Sequence, residues 1–299
     1  MTTASTPQTS TAPRPRRVGA RVTLLRGAFA ALDRVAPSLG ARWALRIWCT
    51  LPRGAGRRRD SRPAGGARTE LVTAQGWRLA VESWGTGAPV YLVHGWGGWR
   101  GQLGAFVTPL VEAGYRVVAF DAPGHGDSGP GALGAGRGSA AELAHALTAV
   151  IERHGPAAGV VGHSLGGTAA ALAISDGAPV ARLALVAPSP DPIALTDDLA
   201  TTLGYGARTH RRFLARLERL AERPLADFDM TRSGAVPAPT LIMHDSGDKE
   251  VAYAEGLRLA AAWPAAEFVT TSGLGHQRIL TDRAVVDEVC RFVAASDRG

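Results

Sequence analysis

The rhythm of apolar and polar positions changes at about residue 69. Before it, Val22, Leu25, Phe29, Leu32 and Val35, then Leu39, Trp43, Leu45, Ile47 and Trp48, recur near helical spacing with arginines between them. That periodicity predicts one or two amphipathic helices over 21–51. Pro37 breaks the segment, because its ring crowds the preceding turn and it has no N–H to donate. After the change, TELVTAQGWRLAVESWG reads as two strands turning at Gln75-Gly76. Short apolar runs then alternate with helical stretches. PVYLVHG, YRVVAFDA, AAGVVGHS, ARLALVAPS, PTLIMHDSGD and AEFVTTSG are the strand candidates, and helices are expected over 102–113, 139–154, 166–175, 253–262 and 283–295. Apolar strands separated by helices predict an α/β fold with a mostly parallel sheet covered on both faces. In such sheets functional groups gather at the carboxyl ends of the strands.

Four of those ends carry chemistry. Gly162-x-Ser164-x-Gly166 closes one strand and opens an Ala-rich helix, the pattern of a nucleophile on a tight strand-to-helix turn. Such a turn strains the backbone and brings neighbours close, so the flanking positions must lack side chains. His94-Gly95-Trp96-Gly97-Gly98 follows PVYLV. Acyl transfer needs two preorganised N–H donors for the developing oxyanion; Leu165, after the serine, supplies one and Trp96, in the glycine loop, the other. His94 is read as a residue that orients this loop. Asp245-Ser246-Gly247-Asp248 follows PTLIMH and offers two acids, and Gly273-Leu274-Gly275-His276 follows the last strand candidate. Ser164 as nucleophile, His276 as base and an acid to hold the imidazole tautomer complete the set. Trp96, Trp99 and His163 are the candidate substrate contacts.

HGWGG, FDAPGHGDS, GHSLGG, HDSGD and GLGH stand in an order and spacing that resembles the α/β-hydrolase superfamily from about residue 69 to 295. The resemblance implies an α/β-hydrolase fold with an eight-stranded, mostly parallel sheet. It puts the acid at Asp248 and gives Asp121 and the loop Pro123–Ser128 a structural role. It also implies a serine hydrolase that needs no cofactor, most simply a carboxylesterase working on a small-molecule ester. Thioesters, carbon–carbon bonds, acyl transfer and perhydrolysis use the same triad. Dehalogenase and epoxide-hydrolase chemistry needs a carboxylate nucleophile, which Ser164 is not.

Composition alters this reading at the N-terminus. Residues 1–68 hold fourteen Arg and no Lys against Asp33 and Asp60, a net +12, whereas the rest of the chain is net −5. Basic charge confined to an extension does not suit an enzyme of nucleic acids, which carries its basic groove on the folded core. Residues 1–19 are expected to be a disordered tail, 20–68 a basic helical extension and linker, with 52–68 flexible, and 69–299 the hydrolase domain. The basic helix either packs back on that domain or contacts an anionic membrane surface, and the latter leaves room for a non-catalytic peripheral protein. Charges interrupt the region where an export signal would be apolar, so a cytoplasmic protein is expected. Gly129–Gly134 matches G-x-G-x-x-G but follows a loop, so no dinucleotide is expected. Cys49, Cys290 and the remaining histidines show no metal-ligand spacing, so no metal is expected. The sequence sets no oligomeric state.

The segment of about 190–236, between ARLALVAPS and PTLIMHDSGD, is long enough for two or three short helices, which would form a lid. Leu195, Leu199, Leu203, Tyr205, Phe213, Leu214, Leu217 and Leu220 give it an apolar side that is expected to bury against the sheet edge. A partly covered apolar pocket predicts acyl chains of roughly two to eight carbons without interfacial activation.

Overall fold

The computed structural model describes residues 20–52 and 60–295. The tail 1–19 lies outside the described residues. The helical signal upstream resolves into α1 (Ala20–Val35) and α2 (Pro37–Trp48), with Pro37 in the first turn of α2, where a missing N–H costs nothing.

Eight strands follow: β1 (Ala67–Val72), β2 (Arg78–Trp84), β3 (Pro89–Val93), β4 (Arg116–Phe120), β5 (Gly159–His163), β6 (Leu183–Val186), β7 (Thr240–Asp245) and β8 (Glu267–Thr271). They form one sheet in the order β1-β2-β4-β3-β5-β6-β7-β8. β1 and β2 are antiparallel additions at one edge, and β4 through β8 run parallel. β3, β5, β6 and β7 are buried at every position, so these central strands read as unbroken apolar runs. The edge strand β1 is exposed almost throughout and polar, which suits an unpaired edge in water.

α3 (Val107–Glu112), entered through a 3-10 turn at Arg100–Phe106, and α10 (Arg283–Ala294) cover one face of the sheet. α4 (Ala140–His154), α5 (Leu165–Ser175) and α8 (Tyr253–Ala262) cover the other. Each face therefore has its own apolar core.

Between β6 and β7 lie α6 (Leu195–Leu203), α7 (Ala207–Ala221) and a 3-10 turn at Leu225–Phe228. Their apolar side meets the N-terminal helices rather than the sheet edge, which corrects the expectation from the sequence. Phe29, Ala41 and Ala44 from α1 and α2 form a third core with Leu203, Tyr205, Phe213 and Leu217. Phe29 stacks on Trp43 at 4.6 Å between ring centroids, and Trp48 meets the edge of Phe213 at 6.2 Å. Gly40 lets α2 approach α7, because a Cβ there would stand 3.1 Å from buried Thr209. Asp33 of α1 accepts the Thr209 N–H at 2.8 Å in the first turn of α7, where unpaired N–H groups need an acceptor. Burial opposes ionisation of Asp33, but its hydrogen bonds from Thr209 and Gly206 outweigh that, and its pKa is lowered. A four-helix cap results, two helices from the N-terminal extension and two from the insertion between β6 and β7.

The linker expected to be flexible over 52–68 is fixed in its second half, and residues 53–59 lie outside the described residues. Arg62 pairs with Asp60 at 2.8 Å and with buried Glu82 at 2.5 Å, and its guanidinium lies 4.4 Å over the Trp99 ring. Glu82 also takes Arg100, which in turn pairs with Asp121 and Asp127. A buried charge network this connected leaves residues 60–63 little freedom, because releasing one partner strands the others without water.

Candidate active site

Ser164 sits between β5 and α5 with φ 53° and ψ −123°, a left-handed backbone that costs a non-glycine residue on the order of 1–3 kcal/mol. The surrounding glycines make the turn sterically allowed. A Cβ at Gly162 would fall 2.8 Å from the Cα of Gly167, and one at Gly166 would collide with the Val93 and His94 carbonyls. The Ser164 N–H donates to the Val186 carbonyl at 3.1 Å, which ties the turn to β6.

The glycine loop after β3 lies against this turn. A Cβ at Gly95 would stand 2.9 Å from the Ser164 Cβ. His94 donates from Nδ1 to its neighbour's carbonyl, Gly95 O, at 2.8 Å, and accepts the Ala122 N–H at Nε2 at 3.0 Å. Burial lowers its pKa to about 4, so it is a neutral spacer of fixed tautomer that joins the loop to the end of β4. Among the described residues the N–H groups of Trp96 and Leu165 find no acceptor in the protein. Both residues line the same cavity as Ser164.

His276 begins the second position of α9 (Gly275–Arg278), reached through Gly273 and Gly275, both at positive φ. Its Nδ1 donates to Asp248 Oδ2 at 2.7 Å, and the Asp248 side chain is fully buried. The other Asp248 oxygen accepts the N–H groups of Glu250 at 2.8 Å and Val251 at 3.0 Å. Burial alone would raise the Asp248 pKa, but hydrogen bonds from His244, His276 and Val251 overcome it and hold the carboxyl well below the usual range. Asp245 does other work. It accepts from Gly247 N–H, Leu274 N–H and Thr271 Oγ1, each at 2.9 Å, and so stitches the acid loop to the histidine loop. Of the two acids left open by the sequence, Asp248 is the one bonded to His276.

His163 donates from Nε2 to the His276 carbonyl at 3.0 Å and stacks obliquely on its ring at 4.7 Å. Buried and neutral, with a pKa lowered by desolvation to about 3, it lines the cavity mainly as a support for the His276 loop. Trp96 lines the cavity and is partly exposed. Trp99 is 6% exposed, has the Arg62 and Arg100 guanidiniums 4.4 and 5.6 Å from its ring centroid, and is not part of the cavity wall, which corrects its place among the substrate contacts.

His244 stands in HDSGD without a role assigned to it there, and other residues that bear on the site carried no motif. His244 lies 3.4 Å from Asp248 Oδ2 through Nε2 and 3.1 Å from the Val251 carbonyl, so it steadies the acid from the far side. Ile47, Trp48, Thr50 and Pro52 line the cavity together with Leu199, Leu217 and Leu220. The cavity is about 810 Å³, mostly apolar, and Glu250 is its one carboxylate; no Arg or Lys lines it among the described residues.

This architecture is matched by the family model for the α/β hydrolase fold over residues 88–236. The chain belongs to the α/β-hydrolase superfamily. It is 38% identical over 125 residues to the dihydrolipoyllysine-residue acetyltransferase component of an acetoin cleaving system from Cupriavidus necator, covering 41% of this chain and 32% of that one. The chain thus spans about a third of that relative's length. It is 29% identical over 248 residues to a 2-hydroxy-6-oxononadienedioate/2-hydroxy-6-oxononatrienedioate hydrolase from Cupriavidus pinatubonensis, covering 67% of this chain and 84% of that one. An esterase structure from Exiguobacterium antarcticum superposes with TM-score 0.60 at 19% identity, over 77% of this chain and all of that one, a likeness of fold.

Proposed function

We propose that the protein is a cofactor-independent serine hydrolase of carboxylic esters. The observation that carries this reading is the buried Asp248–His276 pair at 2.7 Å, opening on the cavity that holds the strained Ser164. Asp248 fixes the Nδ1–H tautomer and leaves Nε2 as the base that takes the serine proton. Ser164 Oγ attacks the acyl carbon, the N–H groups of Trp96 and Leu165 hold the oxyanion, and the imidazolium returns its proton to the leaving alkoxide. Water, deprotonated by the same imidazole, then releases the acid.

The lining favours an uncharged, apolar acyl group. A dioate of the kind in the Cupriavidus pinatubonensis relative's name would bring a second carboxylate into a wall that carries no Arg or Lys among the described residues, and an unpaired buried charge is costly. Acyl chains of roughly two to eight carbons remain the expected range. The test is covalent labelling with a fluorophosphonate, followed by a panel of p-nitrophenyl esters, thioesters and diacid monoesters. Labelling at Ser164 that disappears in Ser164→Ala supports the reading. A folded wild-type chain that neither labels nor turns over any of the panel overturns it.

A further inference from the structure

The cap carries a feature that ester hydrolysis does not use. α1, α2 and α7 hold ten arginines against two carboxylates, Asp33 and Glu218. Among the described residues Arg42, Arg46 and Arg212 form no ion pair with a carboxylate; Arg208 lies near enough to Asp33 to help lower its pKa and donates to the Arg34 carbonyl at 3.0 Å, and Arg212 donates to Ser38 Oγ at 3.2 Å. Those two contacts place α7 arginines at the corner where α1 ends and α2 begins.

The same corner exposes apolar side chains. Val35 is 81% exposed, Leu39 55% and Trp43 38%. On α2, Leu39 and Trp43 are four residues apart, as are Arg42 and Arg46, so the four share the side opposite buried Gly40, Ala41 and Ala44. α2 thus has one face built into the cap core and the other an apolar strip edged with arginine, with Trp43 at the border, stacked on Phe29 and partly exposed.

We infer that this corner docks on a bilayer containing anionic phospholipid. Guanidinium groups meet the phosphates, and Val35, Leu39 and Trp43 enter the boundary between headgroups and acyl chains, the arrangement of interfacial helices. A nucleic acid would satisfy the arginines and leave the three apolar side chains in water, which is why lipid is the better fit. No helix among the described residues is long and apolar enough to cross a membrane, so the contact is peripheral. The inference stands apart from the ester-hydrolase reading, since none of these residues lines the cavity.

The test is cosedimentation of the full chain with phosphatidylcholine vesicles, with and without phosphatidylglycerol. Binding should be about tenfold stronger with phosphatidylglycerol and weaken with salt. R42E with R46E should abolish the difference, and V35N with L39N should weaken binding about tenfold at unchanged charge. Each pair should melt as wild type and, where the wild type labels with fluorophosphonate, label at the same rate. Equal binding to neutral and anionic vesicles overturns the inference. So does binding that survives V35N/L39N and is competed by duplex DNA, which would mark a polyanion site.

Discussion

At the scale of single residues, the two acids after β7 show how position separates similar side chains. Asp245 lies in the last strand position and is saturated by N–H and hydroxyl donors, so its carboxylate organises loops. Asp248, three residues on, is aimed at His276. Asp248→Asn should therefore lower kcat by about three to four orders of magnitude with KM nearly unchanged, because the amide presents the wrong partner to Nδ1–H. Asp245→Asn should act first on stability, since one oxygen that accepts becomes an NH2 that faces donors. Steady-state kinetics and denaturant melts on both variants check this; the reverse ranking in kcat would move the acid to Asp245. Ser164→Ala should remove turnover and leave the melt intact, because alanine keeps the Cβ and so the same backbone strain, and the Ser164 N–H bond to Val186 is unchanged.

At the scale of elements, the informative unit is the cap. α2 is at once a packing partner of α7 and a wall of the cavity, so its residues divide by face. Phe29→Ala should cost about 3 kcal/mol, because the ring is fully buried against Trp43 and Tyr205 and leaves a cavity that the helices cannot close. Urea unfolding measures this. Trp48→Ala acts on the other side. It should enlarge the acyl end of the pocket and shift the preferred p-nitrophenyl ester toward longer chains, seen as a rise in kcat/KM for long acyl groups relative to butyrate. An unchanged chain-length profile would mean that the acyl group does not reach α2.

At the scale of the whole molecule, three buried histidines set a common pH dependence. Desolvation lowers His94 to about 4 and His125 and His163 to about 3. In the unfolded chain a histidine titrates near 6.5, so below that pH the unfolded state binds more protons and stability falls. Above about pH 6.5 both states are neutral and the contribution is constant. Each histidine adds a slope of about 1.4 kcal/mol per pH unit from there down to its folded pKa. Urea midpoints should thus be flat from pH 8 to 7 and drop steeply from 6 to 4. A flat profile across that window would show that the three rings are not held neutral.

The family motifs made the site legible because each is local. GHSLGG, HGWGG and GLGH encode turns whose glycines are demanded within a few residues, by the close approach of Gly162 to Gly167 or the positive φ at Gly273 and Gly275. The strand–helix alternation likewise pointed to an α/β fold with a mostly parallel sheet, since apolar period and length are properties of short segments, and the family resemblance implied its eight strands. What depended on distant partners was open in the sequence. That Trp99 lies against two arginines and away from the cavity, that residues 60–63 are pinned through Glu82, and that the lid helices bury against α1 and α2 are outcomes of packing across more than a hundred residues or of charges meeting in space. Amphipathic periodicity says that a helix has an apolar face. Only the tertiary structure decides what that face meets, because many partners bury apolar area equally well and shape selects among them.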